Sequence, residues 1–160
     1  MAVRSGTQDR PPAPLDDVSK AIIEQLQLDG RRSYAAIAKV VGLSEAAVRQ
    51  RVQRLIDNGV MQVVAVTDPL ELGFARQAMV GIKAEGPLES IADKLKAMEE
   101  VEYVVITAGS FDLLAEVLCE SDDDLLRILS DRIRSIEGVK FTETFVYLKL
   151  VKQTYSWGVR

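Results

Sequence analysis

Three residues, Gly42-Leu43-Ser44, are all that separate one helical apolar stripe from the next. This turn constrains the first third of the chain more than any other feature. Upstream, Ser33 is suited to cap a helix running through Tyr34 to Val41, and Gly42 supplies the residue that can follow a helix with positive φ. Downstream, Ser44 is the next N-cap. Two helices joined by so short a glycine-bearing turn read as a helix-turn-helix. A preceding helix starts at the N-cap Asp16. It carries Val18, Ile22 and Leu26 as its stripe, flanked by Leu15 and Ile23, and stops at Gly30.

The third helix, between Leu43 and Gly59, says what this arrangement is for. At about 100° per residue, Val48, Val52 and Leu55 face the core, with Ala47 and Ile56 on the flanks. Ala46, Gln50, Gln53, Arg54 and Asp57 face away, and Arg49 and Arg51 border them. The whole chain is acidic, with a formal net charge of −4. Residues 31–54 nevertheless hold six basic side chains against the single acid Glu45, and residues 1–60 carry +2 against −6 for the remainder. A basic patch hidden in an acidic chain points to nucleic-acid contact by one part and other work by the rest. Glutamine bonds adenine bidentately, and arginine bonds guanine or phosphate. Ala46 is small enough to let the helix approach a base edge, and the free amides beside Ser44 suit a phosphate. Arg31, Arg32, Ser33, Ser44, Ala46, Arg49, Gln50, Arg51, Gln53 and Arg54 are therefore the candidate contacts with double-stranded DNA. The bland alternative is an ordinary amphipathic helix with a solvated basic face. The short preceding helix, the tight turn and Ala46 weigh against it.

The order Asp29-Gly30-Arg31, Leu43-Ser44, Arg51 with Arg54-Leu55, then Gly59-Val60-Met61 resembles the Lrp/AsnC family of feast/famine transcription regulators. The chain departs from that pattern at Ile56, where an acid is usual, and at Met61, where Ile is usual. The resemblance implies a prokaryotic, cytoplasmic and nucleoid-associated regulator. It extends over roughly residues 15–152.

Beyond the third helix, residues 60–67 read as a strand ended by Asp68-Pro69, which would make the first unit a winged or plain helix-turn-helix. A linker follows. From Arg76 the period changes to strand, helix, strand, strand, helix, strand. The fold class is α+β: a helix-turn-helix followed by a ferredoxin-like βαββαβ sheet with two helices on one face. Residues 1–14 form a disordered arm, 15–61 the DNA-binding domain, 62–75 the strand and linker, 76–152 the second domain and 153–160 a tail. Both faces of its strands are apolar, Tyr103 and Val105 alternating with Val104 and Ile106, and Phe141, Phe145 and Tyr147 with Val146 and Leu148. An uncovered apolar sheet face calls for a partner. The expectation is a homodimer, built further into an octamer or other assembly of dimers.

Function classes narrow at the same time. The chain has no histidine and one cysteine, Cys119. A Ser-His-Asp triad, a Cys-His pair and a zinc finger are excluded, so an enzyme is not expected and no cofactor is implied. No apolar run reaches the length of a membrane span. The Gly109-Ser110 turn reads as a tight hairpin. By the family resemblance, Gly109, Ser110, Phe111 and Asp112 match a Gly-x-(Tyr/Phe)-Asp motif that lines an amino-acid effector pocket. The turn would offer amides to the carboxylate and Asp112 an acid to the ammonium. The same resemblance adds Thr142, Glu143 and Thr144. Two alternatives stay open: an architectural DNA-binding protein without effector, and a cofactor-free enzyme of the dimeric α+β barrel type.

Overall fold

A computed structural model describes residues 15–154 and 158–159. The arm expected over 1–14 and part of the tail lie outside the described residues. The chain divides into two compact units, one of them Val66–Val151 and the other holding the N-terminal helices.

Each N-terminal helix begins where a short polar side chain can accept a backbone proton. In α1 (Asp17–Leu28), Asp16 accepts from the Ser19 amide at 2.8 Å. In α2 (Tyr34–Val41) and α3 (Glu45–Asp57), Ser33 and Ser44 accept from the Ala36 and Ala47 amides, each at 3.2 Å. Gly42 ends α2 at φ 71°, where a side chain would be strained. The stripes then meet: Ile22, Ile37, Ala38, Val48 and Val52 form one buried cluster, edged by Leu26, Ile56 and Met61.

The strand expected after α3 is not there. Residues 61–68 run without secondary structure, so among the described residues the helix-turn-helix has no wing. Val63, Val64 and Val66 are each more than half exposed. A strand needs a neighbour to pair with, and this segment pairs with none among the described residues. A single 3-10 turn, Leu70–Leu72, precedes the first strand of the second unit.

That unit is the ferredoxin-like sheet. Strands β1 (Arg76–Ala84), β2 (Val101–Ile106), β3 (Leu113–Cys119) and β4 (Val139–Val146) pair antiparallel in the order β2-β3-β1-β4. Helix α4 (Leu88–Lys96) links β1 to β2, and α5 (Asp122–Arg127), capped by Ser121, leads from β3. Pro87 stands at the N-cap of α4. The helical segment after β3 is not uniform, because Ile128–Ile133 widens into a π-helical stretch. One sheet face buries Ala78, Val80, Ile82, Leu113, Ala115 and Val117 against Ile91, Leu95, Leu125, Ile128 and Ile133. By strand alternation, the other face carries Met79, Leu114, Leu118, Tyr103, Phe141 and Phe145. Tyr103, Phe141 and Phe145 remain about half exposed.

Candidate nucleic-acid interface and effector loop

Fixing α3 by its buried side aims a defined set of side chains outward. Val48, Val52 and Leu55 are buried, while Ala46, Arg49, Gln50, Gln53, Arg54 and Asp57 are exposed. The donors on that face are not equivalent. Arg49 donates to Glu45 at 2.9 Å, and its guanidinium lies 5.1 Å from the Tyr34 ring centroid, tying α3 to α2. Gln53 donates to Asp57 at 2.8 Å. Gln50 and Arg54 have no side-chain partner among the described residues. They are the free donors of the face. Arg31 and Arg32 lie between α1 and α2, Arg31 exposed and Arg32 half-buried, and Ser33 and Ser44 are engaged as caps.

Arg51, expected among the DNA contacts, is instead turned inward. It donates to Asp16 at 2.6 Å and to Ser19 at 3.2 Å. The Ser19 hydroxyl first, then Arg51 and the Ser19 amide, hold the Asp16 carboxyl down to about 2. In the sequence Asp16 stands out only as a cap and Ser19 not at all. The missed signal is the pairing of an N-cap acid with an arginine 35 positions away, which no local rule supplies.

The loop expected from the sequence to receive an effector joins β2 to β3. The Thr107 amide donates to the Asp112 carbonyl at 2.9 Å, closing four residues rather than the two-residue turn expected. The Thr107 hydroxyl also donates to the Phe111 carbonyl. Asp112 is built into the sheet: its amide donates to the Ile82 carbonyl at 2.9 Å, and its Oδ2 accepts from the Ala84 amide at 2.8 Å. The Ala84 bond falls at the register shift between Lys83 and Ala84. Phe111 folds onto the open sheet face, edge-on to Phe145 with centroids 6.2 Å apart. Gly109 has no positive φ, and a Cβ there would meet nothing within 4 Å. Ser110 is exposed.

Thr142, Glu143 and Thr144 do not converge. Thr142 is buried on the helix side, accepting from Arg134 Nε at 2.9 Å, and Thr144 shares that side. Glu143 lies opposite Gly81 on the open face, with Phe111. The two-residue period of a strand separates them. The open face also holds a polar group that sequence reading passed over. Glu116 Oε1 accepts from Gln77 at 3.0 Å and from the Tyr147 hydroxyl at 2.9 Å. Burial, then the Glu116 carboxylate, push the Tyr147 phenol up to about 12. Among the described residues no group of three or more His, Cys, Asp or Glu is placed to hold a metal ion. No helix among them is long and apolar enough to cross a membrane.

These two units correspond to two known domains. Residues 15–56 match the AsnC-type helix-turn-helix domain, and residues 74–160 match a C-terminal dimeric alpha+beta barrel domain of AsnC-type regulators. The HTH-type transcriptional regulator FL11 of Pyrococcus furiosus is 37% identical over 148 residues, 91% of this chain and 97% of its own.

The chain belongs to the Lrp/AsnC family of transcriptional regulators.

Solved structures agree with that. The Mycobacterium tuberculosis leucine response regulatory protein (LrpA) superposes with a TM-score of 0.78 at 31% identity, covering 87% of this chain and 96% of that one. A Neisseria meningitidis transcriptional regulator, solved as an L-Met complex, shares the fold at a TM-score of 0.77 and 24% identity, covering 89% and 96%. The AsnC-type helix-turn-helix match points to DNA binding, and the match to a dimeric barrel domain points to self-association.

Proposed function

We propose that this protein reads duplex DNA through the exposed face of α3, with Gln50 and Arg54 as its sequence-reading donors. It acts as a cytoplasmic, prokaryotic regulator and not as an enzyme. The observation that carries the reading is the division of labour on α3. Its apolar side and the Arg51 pair fix the helix, Arg49 and Gln53 are paired with acids of α3 itself, and two long donors are left free on the outward face beside the small Ala46. Self-association through the open sheet face brings two such helices to one duplex, so that half-sites are bound at high effective concentration. Dimers then assemble further, into an octamer or another assembly of dimers.

We further propose that an amino acid is the effector, received at the loop of Gly109 to Asp112. Two points support this. Nothing in the single chain's packing demands a glycine at 109, so the open space there suits a ligand or a second copy. A regulator of the same fold is an L-Met complex. One observation favours the contrary reading, an effectorless DNA-binding protein: Asp112 already accepts the Ala84 amide, which a purely structural loop would use in the same way. A thermal-shift screen of the twenty amino acids, run beside gel shifts on the protein's own upstream DNA, separates the two. An amino acid that both raises the melting temperature and alters the gel shift supports the effector. Retarded DNA with no responsive amino acid leaves the architectural reading. No retarded DNA at all removes the regulator.

A further inference from the structure

We propose that Arg51 is a positioning residue. Its ion pair with Asp16 and Ser19 sets the angle at which α3 is presented to DNA, and it does not itself touch the nucleic acid.

The packing between α1 and α3 is apolar: Ile22 on α1 joins Val48 and Val52 on α3 in one cluster. Apolar burial is non-directional. It holds two helices together but resists rolling of one against the other only weakly. Hydrogen bonds between charged groups are directional and short. Among the described residues, Arg51 is the only α3 donor whose partners lie on or capping α1. The other two engaged donors of α3, Arg49 and Gln53, bond to carboxylates four residues away on α3 itself. Those bonds hold a side chain in place. The Arg51 bonds hold α3 to α1.

The partners are themselves fixed. Asp16 uses one carboxylate oxygen to cap α1 and the other to accept from Arg51. Ser19 is buried, at 8% exposure, and its hydroxyl accepts from the same Arg51 nitrogen. The start of α1 is thereby joined to the middle of α3, one turn after Ala47 and one turn before Leu55. A roll of α3 would swing Gln50 and Arg54 on the opposite face by the same angle, and base-edge hydrogen bonds do not tolerate such a displacement.

The inference rests on the reading of α3 as the DNA-facing helix, and the experiment separates the two. Two duplexes are used: one selected by the wild-type protein from a random-sequence pool, and a mixed-sequence duplex of the same length. Affinity for each is measured across a salt series for wild type, Asp16→Asn, Arg51→Gln, Gln50→Ala and Arg54→Ala. Asp16→Asn keeps a capping oxygen and removes a negative charge, which by electrostatics alone strengthens binding to any DNA. A positioning role gives the opposite sign on the selected duplex. Affinity there falls about tenfold, the size of one good base contact. Affinity for the mixed duplex is unchanged or tighter, and the salt slope stays at the wild-type value. Arg51→Gln does the same to the selected duplex with no change in slope. A loss of folded protein lowers affinity for both duplexes alike, so the ratio between them is the diagnostic. If Asp16→Asn does not fold, Asp16→Ser retains a cap and carries the same test. The proposal is overturned if Asp16→Asn leaves the selected duplex bound as well as by wild type or better. It is also overturned if Arg51→Gln flattens the salt slope by about 0.9, the signature of one lost phosphate contact. If Gln50→Ala and Arg54→Ala are both silent as well, the DNA-facing assignment of α3 falls with it. If they weaken binding and Asp16→Asn does not, only the clamp falls.

Discussion

Phe111 occupies the space that a side chain at Gly81 would need: a Cβ built on that glycine stands 2.7–2.8 Å from three atoms of the Phe111 ring. The ring is brought there by the loop after β2, and Gly81 is the β1 position opposite Leu114 and Glu143. A strand glycine normally weakens a sheet. Here it makes room for an aromatic ring on the open face, edge-on to Phe145. Gly81→Ala must therefore displace the whole ring, and we expect a loss of about 1–3 kcal/mol of stability from overpacking. In a Phe111→Ala background the same substitution has no ring to displace. It should be neutral or stabilising there, because alanine restricts the unfolded chain. Urea unfolding of the four proteins of this cycle is the measurement. An equal loss in both backgrounds would show that the contact is not the reason for the glycine.

Asp16 predicts an acid limb in stability. Its folded-state value of about 2 lies below the roughly 3.9 of an unfolded aspartate. A carboxyl depressed by folding stabilises the protein fully above the unfolded value, and the contribution is lost as pH falls through the folded one. Asp16→Asn should therefore melt below wild type at pH 7. The gap should narrow as pH falls from about 5 toward 2, with most of it gone at the lower end. A gap as wide at pH 2 as at pH 7 would mean that the carboxylate's charge is not what stabilises α1 and α3.

Local rules carried most of the fold. The caps Asp16, Ser33, Ser44 and Ser121 are each where a short polar side chain precedes an apolar period. The buried trio Val48, Val52 and Leu55 follows from helical spacing alone. What stayed illegible depends on partners distant in the chain. Arg51 looked like its neighbours on the wheel, but its acid lies on another helix. Thr142, Glu143 and Thr144 are adjacent in sequence and so looked like one contact group, although the strand sends them to opposite faces. The valines of residues 60–67 have strand propensity, but a ladder needs a second strand. The π-helical stretch of Ile128–Ile133 has no compositional mark that distinguishes it from α-helix.

The open sheet face predicts the behaviour of a charge placed on it. Phe145 is about half exposed in the single chain and neighbours Phe111. If a second copy covers this face, Phe145→Glu buries an unpaired carboxylate, which costs several kcal/mol. Light scattering at micromolar concentration should then give a monomer mass, with the helical circular dichroism of the folded protein retained. A wild-type mass for this variant would move self-association to another surface.

Asp112 separates the structural from the ligand-binding role of its loop, because the two roles need different parts of the carboxylate. The Ala84 amide needs only an acceptor oxygen. An effector's ammonium needs the negative charge. Asp112→Asn keeps an acceptor and loses the charge, whereas Asp112→Ala loses both. The alanine variant leaves a half-buried amide unpaired and should lose about 1–3 kcal/mol of stability, while the asparagine variant should unfold close to wild type. Both should lose the amino acid that shifts the wild-type melt. Removing one partner of a buried charge pair costs about 3–5 kcal/mol, a hundredfold or more in affinity. DNA binding without effector should survive in the asparagine variant, since α3 is untouched. An effector can shift the regulator only through unequal affinity for its states. Calorimetric binding and the effector's change in the gel-shift pattern should therefore disappear together in Asp112→Asn. Calorimetry giving full-strength amino-acid binding to a folded Asp112→Asn protein would reduce Asp112 to the acceptor for Ala84 and place any effector elsewhere.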